Sequence, residues 1–284
     1  MRIHLIIAAA NFVFGCVIFT TESTATHQLE AEQDIEIVSV SEVKWDPLNP
    51  ARGDKSPQAG TLWGDRNSTV PTGFLVKFVD GFSSPPHIHN VTYRAVVISG
   101  SIHNDNSDAA KMWMPVGSFW VQPKGQVHIT AAKGATNLAF VEIDKGPYLV
   151  LNSAEAFDSG ERPINVDASN IVWVDPPGAT ASTNGPKLAY LWGNLQEGYS
   201  NGSFIRLPDE FIGEIHSQGS IFRAVVIKGQ LRYLKSKVKV LEPGSYFSSK
   251  GIAVHPISSK SGEESIVYVS TNGTYKVVST QIVE

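Results

Sequence analysis

Gly81-Phe-Ser-Ser-Pro-Pro-His87-Ile-His89-Asn-Val-Thr-Tyr93 is the stretch on which the fold turns. Its opening is a breaker cluster, because glycine and proline punctuate regular structure. In an extended strand side chains alternate faces, so His87, His89 and Tyr93 are expected to point the same way. A later run, Gly117-x5-Pro123-x-Gly125-x2-His128, carries a second turn and a third histidine. That turn is expected to bring His128 from a later strand to face the first two. Three neutral imidazoles converging from two strands of a barrel make a first-row transition-metal site with open coordination positions.

The full pattern reads Gly81-x5-His87-x-His89-x3-Tyr93-x6-Gly100, then Gly117-x5-Pro123-x-Gly125-x2-His128. It resembles the two-part signature of the cupin superfamily, small jelly-roll barrels that hold a metal inside. The resemblance implies that His87, His89 and His128 bind one divalent transition metal per chain (iron, manganese or zinc). The family places a glutamate where Tyr93 stands and often an asparagine where Ala132 stands. An acetylacetone-cleaving iron dioxygenase is a three-histidine cupin of this type. Zinc cupin domains of anti-sigma factors have similar motifs but usually keep the carboxylate. A metal held only by neutral ligands keeps its full charge and is a stronger Lewis acid. Tyr93 is the candidate catalytic residue, as a weak fourth ligand or a hydrogen-bond donor to substrate, with packing as the plain alternative. A phenol with a pKa of about 10 needs strong activation to ligate. The competing reading of the trio is a degenerate, metal-free barrel with histidines as polar fillers. His103, just after Gly100, fits no position of the pattern and reads as an ordinary strand or surface residue.

The chain repeats itself. Trp63-Gly64 recurs as Trp192-Gly193, and Tyr93-Arg-Ala-Val-Val-Ile98 recurs at the same offset as Phe222-Arg-Ala-Val-Val-Ile227. His128 recurs as His255, at an offset only slightly shorter. A period close to half the chain means duplicated domains, not a solenoid. Short β-rich runs bounded by turn residues, such as Phe74–Val79 and Asn137–Ile143, agree with all-β architecture. The expected fold is therefore all-β, two tandem double-stranded β-helix (jelly-roll) barrels forming a bicupin. Residues 1–25 read as a signal peptide, 26–42 as an extension and 43–151 as the first barrel with the metal site. Residues 152–171 read as a linker, with Asn152–Arg162 the best helix candidate, and 172–284 as a second, degenerate barrel. There His87 becomes His216, His89 becomes Gln218 and Tyr93 becomes Phe222, a poor ligand set that Glu214 is near enough to rescue. Arg94 and Arg223, Asp80 and Asp209, and Trp63 and Trp192 recur and read as structural, with Asp80–Arg94 and Asp209–Arg223 as guessed pairs.

The 284 residues suffice for two domains, each burying its own core. Net charge is −4, with no basic block, so nucleic acid and an anionic membrane surface are not expected partners. Arg2 followed by the apolar Leu5–Phe19 and small residues around Ser23–Ala25 reads as an export signal, giving a secreted or periplasmic protein. No membrane span is then expected after cleavage. Lipid attachment at Cys16 ranks lower, because Phe14 suits that motif poorly. Cys16 is the sole cysteine, so a mature chain lacking it has no thiolate chemistry. Asn67, Asn90, Asn201 and Asn272 begin glycosylation triplets, relevant only in a eukaryotic secretory pathway.

The functional expectation is a metal-dependent oxygenase or Lewis-acid enzyme acting on a small chelating substrate of diketone or enolate type. Glu142 is a second acid–base candidate on a later strand, and Trp113, Phe119 and Trp120 are candidate pocket walls. The alternative is a non-catalytic small-ligand binding or sensing barrel whose metal is structural or absent. A homodimer through sheet edges is implied by the resemblance alone.

Overall fold

Alternating β-branched and aromatic positions favour strands, and the recurrent glycines let the chain reverse between them. Gly100 shows why: its φ is +72°, and a Cβ there would collide with the Asn137 side chain. The computed structural model describes residues 34–179, 183–235 and 237–280. The leader read in residues 1–25, with Cys16, lies outside the described residues. The described residues form one compact unit. No helix among the described residues is long and apolar enough to cross a membrane.

The structure is all-β, of the jelly-roll type expected. In the first half, strands Ile164–Val166, Phe119–Gln122, Tyr93–Asp105, Ile129–Ile143, Thr72–Phe78, Gln58–Trp63 and Trp45–Pro47 lie side by side in one sheet. Their pairings are antiparallel. A small sheet pairs His87–His89 with Val150–Asn152. In the second half, one sheet has the order Ile35–Val38, Tyr246–Lys250, Ile221–Lys228, Ser265–Thr271, Asn201–Leu207, Lys187–Gly193. The other runs Val238–Leu241, Leu231–Leu234, Ala253–Ser259, Ile212–Ser217, Tyr275–Ser279.

Two strands cross over. Ile35–Val38, from the stretch read as an extension, pairs with Tyr246–Lys250 of the second half. Ile164–Val166, from the stretch read as a linker, pairs with Phe119–Gln122 of the first. The helix expected at Asn152–Arg162 is a single 3-10 turn, Ser153–Glu155, capped by the Asn152 side chain. The chain then leaves helical geometry at Ala156, and Phe157 N–H donates to the Gly125 carbonyl.

One core cluster fills each half and a third joins them. The joining cluster includes Trp63, Phe140, Tyr246 and Tyr268, with Trp63 stacked on Tyr246 at 4.8 Å between ring centroids. The repeated Arg and Trp residues pair crosswise: Arg94 lies 3.7 Å over Trp192, and Arg223 lies 5.1 Å over Trp63. The guessed carboxylate partners are therefore corrected. Arg94 bonds Asp144 at 2.9 and 2.8 Å, while Asp80 accepts from Gly134 N–H and Asp209 from Gly262 N–H. Both aspartates fasten a turn.

Glu142 also faces the join and not the histidines. Tyr268 donates to it at 2.5 Å, and Trp192 Nε1 donates to Tyr268 at 2.8 Å. Burial raises the Glu142 pKa, against the pull of Arg94. Removing the Tyr268 hydroxyl leaves this buried carboxyl short of a donor. Tyr268→Phe is expected to lower unfolding stability by about 1–3 kcal/mol, read from urea denaturation; a change under ~0.5 kcal/mol, the range of ordinary surface substitutions, would deny the join its part in stability.

Candidate metal centre

Pro85-Pro86 delivers the chain into a short strand whose backbone is locked to the third histidine. His87 N–H donates to the His128 carbonyl and His128 N–H to the His87 carbonyl, both at 3.0 Å. His89 lies two residues further, against Val150 of the partner strand. The three side chains are buried, and their ring centroids lie 4.3, 5.0 and 5.2 Å apart. Their candidate ligand atoms all lie within 4.8 Å of one another. The sequence-predicted trio is thus brought together.

Each ring has one nitrogen committed. His87 Nδ1 lies 3.0 Å from the Pro85 carbonyl, His89 Nδ1 2.9 Å from Leu149, and His128 Nδ1 3.2 Å from Gln126. A carbonyl only accepts, so the hydrogen bonds assign the proton to Nδ1 and the lone pair to Nε2 in all three. This is the outer-shell arrangement that orients metal-binding imidazoles. Burial lowers all three pKa values, that of His89 well below its ordinary 6.5 and that of His128 to about 3. Crowding by neighbouring imidazoles adds to the effect on His89 and His128. Neutral, tautomer-fixed and convergent imidazoles fit a divalent first-row ion. The metal-capable group found among the described residues contains no carboxylate.

Tyr93 is buried beside the trio, its hydroxyl 3.5 Å from His128 Nε2 and donating at 3.0 Å to Asn104 Oδ1. Burial pushes its pKa up, so it stays a phenol. A second tyrosine escaped the sequence reading. Tyr148 stacks on His89 at 4.5 Å and places its hydroxyl 3.2 Å from His89 Nε2. A signal for it existed in the repeat: Gly146-Pro-Tyr148 recurs as Gly273-Thr-Tyr275, at the offset that relates His128 to His255.

The other candidates separate. Trp120 sits in the first-half core with Tyr93, whereas Phe119 belongs to the join between halves. Trp113 lies beside His103, 6.1 Å between centroids. His103 itself is buried, against the surface reading, with Nδ1 3.3 Å from the Met112 carbonyl. A cleft of about 470 Å³ lined by Arg52, Lys55 and Ser83 approaches the Ser83–Pro86 turn, and another of about 1200 Å³ lies on the second half. Neither is lined by the three histidines.

The second half does not repeat the centre. His255 faces Ile215 across the strand pair, where His128 faces His87. His216 and Glu214 alternate with the buried Ile215 and bond each other at 2.6 Å on the half-exposed face. Gln218 is exposed and accepts from Thr274. His255 is sealed between Tyr233 (hydroxyl to Nδ1, 2.7 Å) and Ser249 (hydroxyl to Nε2, 3.1 Å). Glu214 therefore pairs with a histidine but not with the one in the barrel.

The three histidines thus converge inside a jelly-roll barrel, the arrangement that the resemblance to cupins implies. The chain belongs to the family described as a domain of unknown function (DUF4437), which matches residues 36–278. No curated protein sequence matches it. Among solved structures, a provisionally assigned dioxygenase from Nostoc punctiforme is similar with TM-score 0.61, at 12% identity over 88% of each chain. A protein from Pseudomonas aeruginosa provisionally named as glyoxylate-induced gives 0.56, at 10% identity over 88% of this chain and 91% of that one. Oxalate decarboxylase from Bacillus subtilis gives 0.52, at 12% identity over 86% of this chain and 78% of that one. These likenesses establish the fold.

Burial lowers the His255 pKa from 6.5 to about 3. Above pH 6.5 neither the folded nor the unfolded chain holds that proton, so the stability is fully present. Between 6.5 and about 3 the unfolded chain takes it up and the folded chain does not, so stability falls as pH falls. His255→Gln is expected to flatten this slope by up to about 1.4 kcal/mol per pH unit, read from urea midpoints across that range. An unchanged slope would mean that His255 titrates normally in the fold.

Proposed function

We propose that the chain is an exported, metal-dependent bicupin enzyme, with one divalent ion (iron, manganese or zinc) held by His87, His89 and His128. Its substrate class is a small anionic chelator of diketone or enolate type. The observation that carries this reading is the set of three buried imidazoles, each with Nδ1 fixed on a backbone carbonyl and Nε2 left to ligate. Manganese(II) centres in the oxalate decarboxylase of similar fold are in keeping with a divalent ion. Export rests on the apolar run Leu5–Phe19 behind Arg2.

When bound, such an ion supplies Lewis-acid polarisation or, if iron, oxygen-dependent chemistry. The protein's part is to keep the imidazoles neutral, fix their tautomers and flank them with Tyr93 and with Tyr148, which packs in turn on Phe74. With no carboxylate in the set, full charge compensation falls to the substrate. An anionic chelator supplies it and fills two open positions at once.

Burial favours one competing reading, a metal that only braces a non-catalytic binding barrel: His89 and His128 are just 2% and 1% exposed. Elemental analysis of the mature protein, reconstituted anaerobically, decides first. About one equivalent of iron, manganese or zinc per chain is expected, matching a single three-histidine site, and no bound metal would overturn the proposal. His89→Ala is expected to abolish metal binding with little change in thermal stability; a steep fall in stability would favour the bracing role. His216→Ala is expected to leave metal content unchanged, since that side chain faces away from the barrel interior. Lost metal in that variant would move the site.

A further inference from the structure

The two phenols beside the histidines are not equivalent, and the hydrogen-bond chain around them shows which can act. It starts at a fixed point, the Gln126 carbonyl, which accepts from Gln122 Nε2 at 3.3 Å. That contact orients the Gln122 amide so that its Oε1 accepts from Asn104 Nδ2 at 2.9 Å. Asn104 must then present Oδ1 to Tyr93 and Thr130, which both donate to it, at 3.0 and 2.9 Å. A hydroxyl has one proton to give. That of Tyr93 is committed to Asn104.

Tyr148 is held differently. Its N–H donates to the Arg66 carbonyl at 2.8 Å. The Asn90 side chain pins the flanking residues, donating to the Pro147 carbonyl and accepting from Leu149 N–H, both at 2.9 Å. A Cβ at Gly146 would collide with the Ser68 carbonyl oxygen, so the turn closes only with glycine there. Among the described residues, the Tyr148 hydroxyl meets His89 Nε2, at 3.2 Å. That nitrogen is the one a metal would take. Once its lone pair is engaged, the Tyr148 proton loses its acceptor while the phenol stays fixed beside the ion.

We propose that Tyr148 donates a hydrogen bond from its hydroxyl to the exogenous anionic ligand of the metal, and so selects ligands that present an oxygen or nitrogen lone pair beside His89. This rests on the metal reading of the site. Tyr93 is then a positioning residue that braces His128 and the Asn104 network. No bond to carbon is made or broken by this step. The phenol keeps its proton and shares it as a hydrogen bond.

The test uses the full mature chain loaded with cobalt(II), whose visible absorption reports on the site, and azide as the anionic probe. Phenylalanine preserves the ring against His89, Tyr93 and Phe74, so Tyr148→Phe should fold and load as the wild type does, which its melting curve and cobalt content will show. Its azide Kd is expected to rise about tenfold, the loss of one hydrogen bond to a charged acceptor. Tyr275→Phe, the matching position in the second half, should leave cobalt content and azide Kd unchanged. Cobalt-loaded Tyr148→Phe with wild-type azide affinity would overturn the proposal. Failure of the wild type to take up cobalt at all is seen before azide is added, and it would overturn the metal reading on which the proposal stands.

Discussion

Three backbone carbonyls, of Pro85, Leu149 and Gln126, hold the Nδ1 atoms of His87, His89 and His128. The centre depends on these contacts. Without them each imidazole could rotate or exchange tautomers, and the three nitrogens would present donors and acceptors at random. The carbonyls come from three turns in different parts of the first half, so the barrel must close before the centre exists. The Gln126 carbonyl serves twice, orienting His128 and setting the direction of the Gln122–Asn104–Tyr93 chain. One backbone group thereby fixes an imidazole and a phenol together.

The second half keeps the barrel and discards the centre. His255 remains inside, but it is clasped by Tyr233 and Ser249 and stacked on Phe222 at 4.8 Å. Side-chain alternation makes any one-residue difference in register decisive, since it exchanges the inner and outer faces of a strand. Ile215 takes the inner place and His216 the outer one. The second half therefore lacks the cluster although two of the three histidine positions keep a histidine. What the halves share most faithfully is their join, where Arg94 covers Trp192 and Arg223 covers Trp63. Stacking a guanidinium on an indole buries the arginine stem without stranding its charge.

Much of the fold was legible because it is written locally. Glycine and proline turns, short β-rich runs and the long internal repeat identified two β halves, and the histidine spacing identified the cluster. Contacts that depend on distant partners were not legible. Nothing near Ile35–Val38 announces a pairing with Tyr246–Lys250. Aspartates next to turns look like arginine partners until the structure shows Asp80 bound to Gly134 N–H and Arg94 to Asp144. An ungapped alignment of the repeats equates His87 with His216, and only the observed pairing reveals that Ile215 faces His255. Tyr148 lies in a loop without strand periodicity, and its sole trace was the recurrence at Tyr275.

The exchanged strands give the chain the character of a clasp. Ile35–Val38 closes an edge of the second half, and Ile164–Val166 closes an edge of the first. An open edge invites pairing with another chain, and these two strands cover the lateral hydrogen-bonding groups of Tyr246–Lys250 and Phe119–Gln122. During synthesis the N-terminal strand emerges long before the Tyr246–Lys250 strand that receives it, a wait that contacts of such wide sequence separation impose. One sheet of the second half is thus completed by the first strand among the described residues. A cut after the linker would leave Ile164–Val166 with the first half but bare the Tyr246–Lys250 edge of the second, so a separated second half would first require a new strand there.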